Sequence, residues 1–388
     1  MHEIYIFLMA IAIILIVAKL FGEVAVRCGQ SAIVGELLAG VIIGPSVLGL
    51  VSETPVLAGI AEIGAIILLF EVGLSLNIKE FAKAGGWAAA VAIVGVILPY
   101  IFGYYVFLQF GFSSTQAIFA GAVLTATSVG ITARVFMDLK RIETQEAKIV
   151  LGAAVIDDVI GLAILAVVLK LVSGGVVTAG TIAQVSGMAI LFLIVSVGAG
   201  LLIAPTLFKY VSKMKQDQVV FIMAVAFCLI ISAVASKVGL APIVGAFAAG
   251  LVLSSTEYKT EIRKRVMPLY VFFVPIFFVL MGTQVDVSVF NPFIEANRTI
   301  LLLTAVLFAV ALISKTAAGF VVFKKGVNKL LIGVSMVPRG EVGLIFAGIG
   351  LKNNVFGCDD YSALVAVIML TTFVTPFILK YLISKDNK

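Results

Sequence analysis

Residues 32–46 read AIVGELLAGVIIGPS, and residues 242–255 read PIVGAFAAGLVLSS. Each holds Ile-Val-Gly and a second glycine five residues after the first (Gly35 and Gly40; Gly245 and Gly250), at an offset of 210 residues. The same offset carries Thr127–Ser128 onto Val337–Pro338. These two sites lie in the two most polar-interrupted apolar runs of the chain, TATSVGITARV (125–135) and VPRGEVGLIFAG (337–348). Two matches at one offset point to an internal repeat. The competing reading is chance recurrence of small-residue motifs, which are common in Gly-rich membrane helices.

Composition sets the solvent around this repeat. Of 388 residues, 62% are hydrophobic and 12% charged. Soluble domains run at about 45–50% apolar and about 25% charged, so there is too little charge to cover a water-facing surface, and a soluble enzyme is excluded. The net charge of +6 is spread over short loops. It forms no patch for nucleic acid, and no nucleic-acid partner is expected. Cys28, Cys228 and Cys358 are too far apart for a disulfide framework or a metal-ligand spacing, and His2 is the only histidine.

A bilayer core of about 30 Å takes roughly 20 apolar residues per helix. Thirteen such runs are read, at about 4–26, 31–50, 55–74, 86–110, 114–137, 147–171, 182–211, 218–237, 240–255, 266–285, 298–322, 327–351 and 360–384. The first lacks the basic leader and small-residue cleavage site of a signal peptide and is read as a retained span. No soluble domain is expected between the spans or beyond them. With the N-terminus outside, twenty Lys and Arg fall in inside loops and helix ends, against four outside (Lys170, Lys237, Arg298 and Lys352). The positive-inside rule then gives N-out and C-in. Span two matches span nine and span five matches span twelve. A shift of seven spans inverts the second copy, so the expectation is an all-α integral membrane protein with two inverted repeats (about 4–171 and 218–384), joined by a linker span at about 182–211. Inverted repeats with corresponding broken helices mark secondary transporters, whose site lies at the midplane.

Charge inside hydrocarbon costs at least about 2.5–3.5 kcal/mol per group on insertion scales and marks function by default. Asp157 and Asp158 lie about eleven residues into span six, Lys315 in span eleven, and Arg339 and Glu341 in span twelve. Glu62 and Glu71 lie in span three, and Arg134 closes the broken part of span five. Adjacent helical residues point about 100° apart, so one aspartate can face a cavity while the other meets a neighbouring helix. One lysine cannot neutralise both. A carboxylate in that setting holds a proton or a small cation, but not both at once, and that competition is the physical core of cation/proton exchange. For Asp157 alone, a structural salt bridge with Lys315 competes with a transport role. Thr127 and Ser128, with Gly130 behind them, can supply hydroxyl and freed carbonyl oxygens, the ligands hard cations favour. Back-bonding to their own helix is the alternative. Arg339 and Glu341 are two residues apart and do not face each other. Each is expected to pair elsewhere, with Glu71 and Arg134 as candidates, and these four are read as structural braces of the broken helix. Glu62 receives no assignment.

Together, AVIDDVIGL (154–162), TATSVGITARV (125–135), IVGELLAGVIIGPS (33–46), Lys315 and PRGEVGL (338–344) resemble the monovalent cation/proton antiporter-2 family. The nearest likeness is to its NapA-type Na⁺/H⁺ antiporters, with NhaA more distant. The resemblance implies that Asp158 binds the transported Na⁺ or Li⁺ and the proton, that Asp157 pairs with Lys315, and that Thr127–Ser128 belong to an unwound crossing. It also implies a core domain moving against a dimerisation domain in a homodimer of the cell membrane. The core is expected from spans three to five with span six and spans ten to thirteen. The adjacent-aspartate form is associated with electrogenic exchange. Ser75 follows FEVGL (70–74), where many relatives carry an acid, so a site role there is in doubt. No cofactor is implied beyond the transported ions, so the aspartates would hold Na⁺ only transiently.

Three other functions are weighed. K⁺/H⁺ exchange could run on the same scaffold. A passive cation channel would need a filter-like motif, which is not seen. An intramembrane enzyme would need a nucleophile with a base or a metal set, and His2 and the scattered cysteines offer neither.

Overall fold

A computed structural model describes residues 2–172, 179–290 and 295–386. Among the described residues every regular element is helical. Ten segments are long and apolar enough to cross a bilayer, counting the broken stretch Ser114–Asp138 as one. The chain is therefore a multi-pass membrane protein by length and composition.

The helices divide into two groups by packing. The first holds α1 (His2–Arg27), α2 (Ala32–Ile43), α3 (Pro55–Ser75), α8 (Ala179–Val211), α9 (Val219–Lys237), α10 (Pro242–Leu253) and α11 (Lys259–Thr283). Here α1 packs on α2 as α9 packs on α10, and α3 packs on α10 as α11 packs on α2. The second group holds α4 (Ile78–Gln109), α5 (Ser114–Thr125), α6 (Val129–Asp138), α7 (Gln145–Val172), α12 (Glu295–Ala318), α13 (Lys329–Ser335), α14 (Glu341–Lys352) and α15 (Cys358–Asp386). In it α4 packs on α7 as α12 packs on α15, and α5 lies against α14. Spans three and ten, expected in the core with the broken helices, thus pack mainly within the first group as α3 and α11.

Small residues set the first group's spacing. An added Cβ at Gly35 would run into the backbone of Phe21 and Gly22, and one at Gly245 into that of Ile231 and Ser232. At Gly40 it would meet Val279 and Gly282, and at Gly250 it would meet Phe70, Gly73 and Leu74. Without a hydrophobic force between helices in lipid, such backbone-to-backbone approach is what holds them.

The runs expected at 31–50 and 240–255 form helices of only 12 residues each, about 18 Å long at 1.5 Å per residue. The first ends where Gly44 and Pro45 follow Ile43, since a helix rarely continues into the residue before a proline. Other helices outrun their expected limits. Asn77 caps α4 by accepting from the Lys79 amide at 3.0 Å, so that helix starts eight residues early.

Two spans are broken. Ser113 and Gln116 form a capping box that starts α5. Helix then stops at Thr125, whose hydroxyl donates to the Ala122 carbonyl at 2.7 Å. Ala126 and Ser128 are extended before α6 begins. In the other span Asn328 caps α13 by accepting from Leu331 N at 3.0 Å. Pro338 lacks an amide hydrogen and disfavours helix at Val337, so the chain stays non-helical until Glu341.

Candidate helix-crossing ion site

The two breaks meet. Ser128 N donates to the Pro338 carbonyl at 2.7 Å, and Thr132 Oγ1 donates to the Ser335 carbonyl at 2.7 Å. Gly340 makes the approach possible, because a Cβ there would press on the Ser128 side chain. Four half-helix ends therefore converge, with the carbonyl ends of α5 and α13 carrying partial negative charge.

Two buried cations answer that charge. Arg339 has no exposed surface. It donates through Nη2 to the Leu124 carbonyl at 2.7 Å, in the last turn of α5, and through Nη1 to its neighbour Val337 at 2.8 Å. The Thr372 hydroxyl of α15 donates to the Arg339 carbonyl. Lys315, also without exposed surface, donates to Thr127 Oγ1 at 2.6 Å and lies 3.5 Å from Asp157 Oδ2. Asp157 is buried, and its Oδ1 accepts no hydrogen bond among the described residues. Asp158, next on α7, is half-buried. Thr127 and Ser128 are both buried. The crossing thus gathers two carboxylates, two hydroxyls and uncoiled backbone around one ammonium and one guanidinium. No group of three or more His, Cys, Asp or Glu gathers among the described residues. A cation here would need hydroxyl or carbonyl ligands besides the aspartates, and hard cations accept such oxygens.

The remaining charges lie elsewhere. Glu71 is fully buried and pairs with Arg263 of α11, not with Arg339. Arg134 sits 2.9 Å from Asp138 on its own helix and 3.4 Å from Glu36 on α2, with the Tyr270 ring centroid 5.1 Å from its guanidinium carbon. The Ser31 hydroxyl closes this cluster by donating to Asp138. These partners are set by packing: α3 lies against α11, and α6 reaches α2. The side chain of Glu341 lies outside the described residues. Sequence reading overlooked Glu36, Asp138 and Tyr270. The signal for Glu36 was present, a lone carboxylate inside the apolar motif IVGELLAG, and Asp138 stands one helical turn after Arg134.

A cavity of about 750 Å³ lies between α3, α10, α11, α14 and α15. Its lining includes Phe277, Met281 and Val342. Met281 also packs beside Gly340 and Phe277 beside Gly130, the glycines next to the two breaks.

Residues 8–385 match the family described as sodium/hydrogen exchanger, transmembrane. The chain is 38% identical to the high-affinity Na⁺/H⁺ antiporter NhaS3 of Synechocystis sp., over 95% of this chain and 88% of that protein. It is 34% identical to the Na⁺/H⁺-K⁺ antiporter GerN of Bacillus cereus, covering 98% and 97%. Identity to a Na⁺/H⁺ antiporter of Enterococcus hirae is 33%, covering 98% of each. The fold is similar to that of the sodium proton antiporter MjNhaP1 of Methanocaldococcus jannaschii at pH 8, with a TM-score of 0.70 at 15% identity, covering 98% of this chain and all of that one.

Proposed function

The chain belongs to the sodium/hydrogen exchanger family, and on that premise we propose that Asp158 and Asp157 carry its transport cycle. The protein is a membrane antiporter exchanging Na⁺ for H⁺, and its family is one of transporters rather than enzymes. Asp158 takes the cation or the proton. Asp157 is held by Lys315 until protonation or cation binding rearranges the pair. Thr127, Ser128 and the freed carbonyls of the crossing complete the cation's oxygen shell. The observation that carries this reading is the buried Lys315–Asp157–Thr127 contact at the meeting of two helix breaks, with Asp158 adjacent. A cation and a proton that compete for one carboxylate cannot ride together, so each displaces the other.

Alternating access is read as movement of the second helix group against the first. Thirteen crossings, N-out and C-in, follow if the short helices α2 and α10 and the broken pair α13–α14 each count as one. The repeat is supported by packing. Gly35 meets Phe21 and Gly245 meets Ile231, each fourteen residues upstream, and the α1–α2 and α3–α10 contacts recur as α9–α10 and α11–α2. Electrogenic exchange, use of Li⁺ and a homodimer in the cell membrane rest on the resemblance alone. K⁺ is a second reading, favoured by the likeness to a Na⁺/H⁺-K⁺ antiporter.

The deciding experiment is a Na⁺, Li⁺ and K⁺ competition assay in proteoliposomes across pH, with and without a membrane potential. Saturable Na⁺-dependent proton flux that vanishes in Asp158→Asn is expected. Cation current without proton exchange would make the protein a channel.

A further inference from the structure

Glu62 has no part in the crossing, yet it stands in a membrane span. It lies seven residues after Pro55, the first residue of α3, or about 10 Å below the start of that helix. Its side chain is exposed and lines the 750 Å³ cavity. The other charged lining residue is Glu53 at the rim, which accepts a hydrogen bond from Gln284 Nε2 at 3.0 Å. No Lys or Arg lines this space among the described residues. The rest of the wall is mainly apolar and includes Met281 and Phe277, which pack beside the helix breaks.

A carboxylate at this depth is costly unless water or a cation reaches it. A cleft whose charges are all of one sign, between low-dielectric walls, concentrates the opposite ion and speeds its arrival. We propose that Glu62 is a staging carboxylate: it gathers monovalent cations in the cavity and hands them towards the crossing, setting cation affinity on that face. This rests on the antiporter reading and deepens it. Glu62 acts through the local cation concentration and does not take the place of Asp158.

The test compares Glu62→Gln, Glu62→Asp and Glu62→Lys in oriented proteoliposomes, with Na⁺ varied separately on each face. At low ionic strength, Glu62→Gln should raise KM for Na⁺ on the cavity face by about three- to tenfold. Maximal rate and the KM on the opposite face should stay within about twofold of the unsubstituted protein. Glu62→Lys should do worse and Glu62→Asp should stay near the parent. The gap should shrink as an inert salt shortens the screening length to about 10 Å at 0.1 M. In a background with Cys28, Cys228 and Cys358 replaced by Ser, Glu62→Cys should regain its affinity after a membrane-impermeant anionic thiosulfonate and lose it further after a cationic one. An unchanged KM, equal changes on both faces, or equal effects of the two reagents would overturn the inference while the exchanger reading stood. Absence of Na⁺/H⁺ exchange in the unsubstituted protein would overturn both.

Discussion

Lys315 Nζ lies 2.6 Å from the Thr127 hydroxyl and 3.5 Å from Asp157 Oδ2, so its tighter contact is with the helix break rather than with the carboxylate. The ammonium therefore ties α12, α7 and the uncoiled segment before α6 into one unit.

Thr127→Val should loosen that unit. It removes an acceptor from a buried ammonium, a loss of about 1–3 kcal/mol, and should lower the unfolding temperature in detergent. Thr127→Ser keeps the oxygen and should stay near the parent. Equal stability of the Val and Ser variants would mean the hydroxyl contributes nothing to holding Lys315.

Lys315→Ala leaves Asp157 with an uncompensated buried charge, for which about 3–5 kcal/mol is typical. Thermal stability should drop sharply, and adding Asp157→Asn should recover much of it. Currents on solid-supported membranes, recorded on the same variants, report whether the pair also sets the charge moved per cycle. Stability unaltered in both variants would make the pair incidental.

Asp158→Asn should abolish Na⁺-driven proton flux while leaving the unfolding temperature within a few degrees of the parent, because the half-buried position tolerates an isosteric amide. Retained flux would remove Asp158 from the transport path.

Glu36→Gln should weaken the tie between α6 and α2. Arg134 keeps Asp138 on its own helix but loses its charged partner on the first helix group. A hydrogen bond to a charged group contributes about 1.5–3 kcal/mol, so local opening of α6 should rise tenfold or more. Amide hydrogen exchange over 129–138 measures this directly. Unchanged protection there would show that packing alone closes that face.

Gly250→Ala should destabilise the protein, because the new methyl meets the backbone of Phe70 and Leu74, which has no rotamer with which to yield. Gly59→Ala, where an added Cβ meets nothing within 4 Å, should be neutral or slightly stabilising. The two unfolding temperatures form an internal control.

Much of the crossing was legible because charge and polarity stand out against hydrocarbon. Asp157, Asp158 and Lys315 are conspicuous in apolar runs, and the breaks are written in Pro338 and in the Thr-Ser cluster at 125–128. The partners of the other charges were not legible. Glu71 finds Arg263 and Arg134 finds Glu36 across packing between segments far apart in the chain, which periodicity and spacing do not encode. Glu36 itself hid inside a small-residue motif read only for its glycines. The packing of α3 and α11 within the first helix group was not legible for a related reason. Gly40 seats α2 on α11 and Gly250 seats α3 on α10, contacts between opposite halves of the chain that periodicity does not encode.

That cross-pairing bears on how the protein is made. The backbone of α3 is seated on α10, and that of α2 on α11, yet about 170 residues or more of chain emerge between the members of each pair. While the ribosome is still at work, the early helices wait in lipid with their glycine faces uncovered. They lock only when the late helices insert. A chain truncated before α10 would leave those faces open, so nascent fragments should be held by insertion chaperones or cleared by membrane proteases rather than persist as stable halves.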